Sequence, residues 1–565
     1  MYPKVHKILS LSLASILTAT LISCAAPDGQ NGQTTSPAST SGGSGSSSSG
    51  EAVKLTYWTE NTGPDILLSY GDKQAMELAS EAMPNITIEW VHPPKGQALE
   101  QFSLMIVADD KPDIMDSTWR TFSGGPDAAI ETNVIQDITD AAAQYMPNFT
   151  AYLDKYPDYR SMVSSDKGKL YCIPYTFSGT PVKDGPQWHP VLDRAPVFET
   201  YQGLIIRGDW LEELGLEKPR TFDDFYNVLT AFKNKGVQYP FSPTLDFLKT
   251  SQVFISAYDL VTASPAANPG NSFMEKDGKV VYGPAEPGYK DYLTFLNRLY
   301  TEGLLDPDFA VQDNATAQGK LSSGQSGMWI GYYSSWLETF YGQLHAQDPN
   351  TTFNPIGLSN PVLTADQKLT YHQAAYPYRE KGAAITTSCK NVEAALTWLD
   401  WAWSDEGDKA MNWGREGDAF EFVDGWPSIT QKVLDDPNKL GLSKAHELFM
   451  RKDGPFAMDY WNRTLIGQYS PTPEGLKALA AWTDPVNGTV SASLPPITAT
   501  SEESTRVATL TSQISTYVSE CYVKFIMGDL SLNEYDNYID NLNRLGLDEL
   551  ISLTQAALDR YNARS

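Results

Sequence analysis

From Val53 onward the chain alternates strand-forming and helix-forming text at intervals short enough to demand an α/β layer. Val53-Lys54-Leu55-Thr56-Tyr57-Trp58 is β-branched and aromatic and reads as a strand. Gln74–Met83 reads as a helix, with Met76 and Ala79 apolar beside acidic neighbours and Pro84-Asn85 as the stop. Ile86–Val91 is a second strand, a helix follows over about 97–108, and Asp113-Ile114-Met115-Asp116 is a third strand. Strand, helix, strand, helix, strand implies a largely parallel sheet, because parallel neighbours need a crossover between them. A second unit starts at the strand Tyr201–Arg207, with a short helix Asp209–Leu214 ended by Gly215. Thr221 caps the next helix, and Asp224 stands at the capping-box position three residues on. Asp277-Gly278 between Met274 and Val280-Val281-Tyr282 predicts a hairpin turn. Tyr292, Phe295, Leu296 and Leu299 share one helical face, as do Val392, Ala395, Leu396 and Leu399. At 565 residues the chain exceeds one ordinary core, so two α/β lobes are expected.

The first fifty residues have a different character. Lys4, His6 and Lys7 precede an uncharged apolar run from Ile8 to Ile22, short for a membrane span and laid out like a secretory signal peptide. Leu21-Ile22-Ser23-Cys24 resembles a bacterial lipobox, which implies a signal peptide over residues 1–23 and a lipid on Cys24. Residues 24–51 are mostly Gly, Ser, Thr, Pro and Ala and should act as a flexible tether, since such text cannot bury a core. The body, 52–565, would then hang from the outer face of a cytoplasmic membrane.

Charge and cysteine usage narrow the partners. The net charge of −27 repels phosphate backbones, so nucleic acid is not expected. Beyond Cys24, the cysteines Cys172, Cys389 and Cys521 are scattered, admit at most one disulfide, and are expected as free buried thiols. The six histidines form no ligand cluster, no EF-hand-type loop is present, and Asp405, Glu406 and Asp408 are expected as a solvated acidic face. Neither metal nor cofactor is expected.

Six blocks carry a family resemblance: Lys111–Ile114, Gly168–Tyr175, Leu204–Leu211 with Pro219–Phe225, Leu299–Pro307, Gly324–Trp336 and Gly414–Gly417. In this order they resemble the larger sugar-binding members of the extracellular solute-binding proteins (family 1) that serve bacterial ABC transporters. The similarity runs from about Lys54 to Leu550. It implies a two-lobed periplasmic-binding-protein-like (type II) fold, a hinged clamshell with N-lobe about 52–180 and 370–415 and C-lobe about 200–350 and 416–565. It further implies a carbohydrate ligand, ABC permease subunits as partners, a lipid-anchored extracellular location, and a monomer without enzymatic activity.

Ligands of open α/β sheets sit at the carboxyl ends of strands. Glu60 follows the first strand, and Trp119 and Arg120 follow the third, so an acid, an aromatic plane and a guanidinium could read hydroxyls and C–H faces. On the resemblance, Trp336 is a stacking tryptophan with Tyr332 and Tyr333 beside it, and Trp413 and Glu416 flank the ligand near the Gly414–Gly417 turn. Tyr175 is expected in lobe structure. Trp188-His189 and Tyr378-Arg379 are candidate specificity loops. Two other classes stay open: a binding protein for a peptide or amine, since fold does not determine ligand, and a tethered glycosidase, which needs two carboxylates at a set separation.

Overall fold

The computed structural model describes residues 52–176, 201–261, 272–372, 378–423, 425–451, 454–457, 468–469, 472–488, 490–491 and 494–564. Two larger sheets organise them. The first joins β1 (Val53–Trp58), β2 (Ile86–Val91), β3 (Ile114–Ser117), β4 (Ile173–Thr176) and an eight-residue strand Tyr378–Ile385 that enters much later in the chain. The second joins β5 (Gln202–Arg207), β6 (Tyr239–Phe241), β9 (Ser326–Tyr332) and β10 (Pro355–Leu358). Between them in sequence lies the hairpin β7 (Phe273–Lys276) and β8 (Lys279–Tyr282). A two-residue strand β11 (Tyr371–His372) precedes Tyr378–Ile385, which is therefore β12.

In the first sheet the order is β2-β1-β3-β12-β4. β1 runs parallel to β2 and β3, with the helices Gln74–Ala82 and Ala98–Ala108 as crossovers, while β12 is antiparallel to β3 and β4. The expected parallel sheet is present, with one reversed strand inserted from a distant part of the chain. In the second sheet the order is β10-β5-β9-β6, with β5 antiparallel to β10 and β9 and β6 parallel to β9. All six residues of β5 are buried, as expected of a strand covered on both faces.

Local signals act where the sequence places them. The Thr221 side chain accepts from the Asp224 backbone N–H and Asp224 accepts from the Thr221 N–H, closing a full capping box on the helix Phe222–Lys235. Asp277 and Gly278 both take positive φ, 51° and 77°, as a tight hairpin of this hand requires. Tyr292, Leu296 and Leu299 are buried along the helix Pro287–Thr301.

The hydrophobic cores divide with the sheets. Of the two larger clusters, one draws on residues between Leu55 and Ala457, the other on residues between Leu204 and Leu369 and again from Leu476 to Leu558. The chain thus passes between the two cores three times. Residues 416–457, expected with the second lobe, bond instead to the first: Gln74 Nε2 donates to Asp418, Lys73 Nζ to the Glu447 carbonyl at 3.0 Å, and Arg451 Nη2 to Tyr57 Oη at 3.1 Å. Cys172, Cys389 and Cys521 are buried and stand outside any disulfide among the described residues, and burial followed by the nearby Asp113 charge pushes Cys389 up to about 12. Among the described residues, no helix is long and apolar enough to cross a membrane.

Candidate functional site

The carboxyl end of the first sheet is where charge and hydroxyls gather. β1 ends at Trp58, and two residues on the Glu60 carboxylate meets Lys381 Nζ at 2.8 Å, with side-chain exposures of 38% and 24%. Lys381 comes from β12, where the pairing with β4 slips between Tyr378 and Gly382. Such an irregularity re-aims a side chain, and here the ammonium stands 5.8 Å from the centre of the Tyr175 ring.

Beneath this pair lies a buried polar network. Tyr57 Oη donates to Asp116 Oδ1 at 2.8 Å, and Tyr175 Oη donates to the other carboxylate oxygen. Burial, and then the Asp116 charge, push both phenols well above their ordinary range, so they remain protonated donors. The Arg451 guanidinium lies 3.7 Å from Asp116 and between 5.4 and 5.9 Å from the rings of Tyr57, Tyr70 and Trp90. Charge, a phenol on Nη2 and aromatic faces offset the burial of this arginine, while its Nε and Nη1 are buried without a hydrogen-bond partner among the described residues. The network holds Tyr175, and therefore the floor under Lys381, in one place.

The expected site residues separate into distinct environments. Glu60 and Arg120 do stand at neighbouring strand ends, but Arg120 Nη1 donates at 3.0 Å to the Ile497 carbonyl on a segment leading into the second core. Trp119 has no exposed surface: its indole N–H donates to the Gly382 carbonyl at 3.0 Å and its ring meets Phe102 edge-on. Trp336 is likewise buried, laid over Gly331, where a Cβ would come within 2.6 Å, and edge-on to Phe247 at 5.3 Å. Both tryptophans have their faces covered by protein, so in this conformation neither offers a plane to a solute. Tyr332, at the end of β9, is 42% exposed and leans on Phe247. Trp413 is buried beside His446 and Phe420, in a cluster separate from both strand ends, and Glu416 is exposed on the turn that follows. Trp188-His189 and the side chains of Tyr378-Arg379 lie outside the described residues.

Sequence reasoning missed Lys381 and the Asp116–Tyr175 support. Lys381 lies in β12, some 260 residues after β3, and no local pattern announces that this strand inserts between β3 and β4. Of the three acids expected as a solvated face, Asp405 pairs with Lys409, whereas Asp408 is buried and accepts from the Asn412 amide. Among the described residues, no group of three or more His, Cys, Asp or Glu could hold a metal ion.

A cavity of about 690 Å³ opens elsewhere, between the Arg120–Ser123 turn and the helices Ser501–Met527 and Leu547–Asn562. Its size suits a small-molecule ligand, but several of its hydroxyls are committed. Ser504, Thr509 and Thr554 donate to carbonyls of their own helices. The strand-end pair is chemically the richer site.

Residues 67–409, more than half of the chain, match the family model of the bacterial extracellular solute-binding protein. The chain belongs to this family. Among curated relatives of this solute-binding protein, the fructooligosaccharide ABC transporter substrate-binding protein FusA of Streptococcus pneumoniae is 24% identical over 508 residues, covering 86% of each chain. Lipoprotein LipO of Bacillus subtilis is 28% identical over 228 residues, 39% of this chain and 44% of LipO. Solved structures share the fold: alginate-binding protein AlgQ2 without calcium ion superposes with a TM-score of 0.68 at 20% identity, over 90% of this chain and 98% of that one. FusA in complex with kestose gives 0.65 at 20% identity, over 91% and 100%. This solute-binding protein therefore has the two-lobed α/β fold that its two sheets and two cores describe.

Proposed function

We propose that the protein is the extracellular substrate-binding component of an ABC importer, and that its solute is a carbohydrate, an oligosaccharide held between the two lobes and handed to the permease. The observation that carries this reading is the near full-length similarity to FusA, a fructooligosaccharide-binding component by its name, over 86% of both chains. The strand-end chemistry supports it. A carboxylate, an ammonium and an exposed tyrosine provide acceptors, donors and an aromatic face, the three things sugar hydroxyls and C–H faces need.

The lobes of this reading are residues 52–176 with 378–457, and residues 201–369 with 472–564. The chain crosses between them three times. Capture works by population shift, because only a solute touching both lobes favours the closed state over the open one. Glu60 and Arg120 on one lobe and Tyr332 on the other are the residues proposed to meet it, and the protein binds its ligand without chemical turnover. It functions as a monomer, carried on the outer face of the membrane by a lipid on Cys24 and the tether 24–51.

The test is a thermal-shift screen against neutral and acidic oligosaccharides, peptides and amines, since a ligand bound only by the folded state raises its melting temperature by mass action. The expected result is a shift with at least one oligosaccharide and unchanged glycan after prolonged incubation. A shift with peptides or amines alone, or a glycan cleaved by catalytic amounts of protein, overturns the reading.

A further inference from the structure

We propose that the Glu60–Lys381 pair is a diol-reading subsite, selecting a neutral sugar unit with two free adjacent hydroxyls over a uronate or a substituted ring. The inference rests on the carbohydrate reading above and specifies which feature of the carbohydrate the first lobe recognises.

Three observations converge on it. The pair stands at the carboxyl end of the first sheet, on the residue two beyond β1 and on the strand β12 that neighbours β3. The pairing of β12 with β4 is broken at this point, which turns Lys381 out of the regular ladder. The ammonium sits over a tyrosine that a buried carboxylate clamps from below, so its position is set by Asp116 through Tyr175.

The chemistry follows from what each group can do. A carboxylate only accepts hydrogen bonds and an ammonium only donates them. Neighbouring hydroxyls on a sugar ring lie about as far apart as the two partners of a hydrogen bond. One hydroxyl can therefore donate to Glu60 while the oxygen of the next accepts from Lys381, both bonds charge-assisted. Each long side chain is already ordered by the other, so little rotamer freedom remains to be lost on binding. The two charges also cancel. A uronate would gain the ammonium only by approaching a carboxylate of its own sign 2.8 Å away. As structure the pair contributes little, since partly exposed ion pairs have small effects on stability.

Titration calorimetry of the full-length mature protein separates these roles. The probes are 1-kestose, maltotriose and xylotriose, the per-O-methyl derivative of whichever binds, and trigalacturonate. The wild type is expected to bind at least one neutral trisaccharide and to lose binding on O-methylation. Glu60→Gln and Lys381→Met should each weaken that binding about tenfold or more with melting temperatures close to wild type. Glu60→Gln, which leaves the ammonium unopposed, should also narrow the preference for neutral over acidic trisaccharide. Wild-type binding with both variants within twofold, or retention of the O-methylated probe, overturns the diol subsite and leaves the carbohydrate reading standing. Failure of the wild type to bind any saccharide overturns both.

Discussion

The Trp119 indole N–H reaches the Gly382 carbonyl on the neighbouring strand β12 at 3.0 Å, tying the turn after β3 to a residue 263 positions away in sequence. This hydrogen bond sits where β12 leaves its slipped pairing with β4, so the same indole that fills the core also pins the strand carrying Lys381. Replacement of Trp119 by Ala removes a fully buried ring and should cost about 3–5 kcal/mol, read as a large fall in denaturant midpoint. Trp119→Phe keeps most of the volume and loses the donor, at about 1–3 kcal/mol. The folded fraction of Trp119→Phe should still bind ligand, because the ring has no exposed face.

His446 is the clearest source of pH dependence. Its Nε2 lies 3.2 Å from the Trp413 carbonyl, which can only accept, so in the neutral ring the proton resides there and Nδ1 accepts from Tyr469 Oη at 2.7 Å. Burial pushes the imidazole down to about 4, against a partial offset from the Trp413 carbonyl. A folded-state value below the unfolded one means the unfolded chain takes up its proton first. The corresponding stability is present above about pH 6.5, is lost progressively down to about pH 4, and totals on the order of 3 kcal/mol. Urea melts at pH 7.5 and pH 4.5 should show this loss in the wild type and a smaller one in His446→Gln.

The C-terminal helix Leu547–Asn562 belongs to the second core through Leu550 and Leu558, yet its end is bonded to the first lobe. Arg564 donates to the Ser164 carbonyl at 2.7 Å and to Asp166, and Arg560 bridges Asp166 and Glu503 at 3.1 and 2.8 Å. Arg564→Ala leaves Asp166 with one cation and takes a donor from the carbonyls of Ser161 and Ser164. The expected cost is about 2–4 kcal/mol, together with faster amide exchange in residues 161–168 measured by mass spectrometry.

Thr221→Ala removes the side-chain half of the capping box on Phe222–Lys235. The loss should be about 1 kcal/mol, seen as a small drop in thermal midpoint with no change in ligand affinity, because Thr221 is not among the residues proposed to meet the ligand.

What the sequence reveals follows the range of its physics. Strand and helix boundaries, the capping box at Thr221 and the positive-φ turn at Asp277-Gly278 depend on residues within a few positions; the cap and the turn stand where the text places them and the boundaries fall within a residue of it. Glu60 was legible as a strand-end acid for the same reason. Trp119 and Trp336 were not legible as core: an aromatic after a strand reads alike whether its face is open or covered, and the cover comes from Phe102, Gly331 and Phe247.

By itself, then, the sequence determined the alternation of elements, the two-lobed family to which they belong, and the net acidic charge. Only the tertiary structure decided that β12 inserts between β3 and β4, that 416–457 packs on the first lobe, and that Lys381 is the partner of Glu60. The reason is that local preferences are written in neighbouring residues, whereas burial and ion pairing are settled by segments hundreds of positions apart that meet only when the sheet closes.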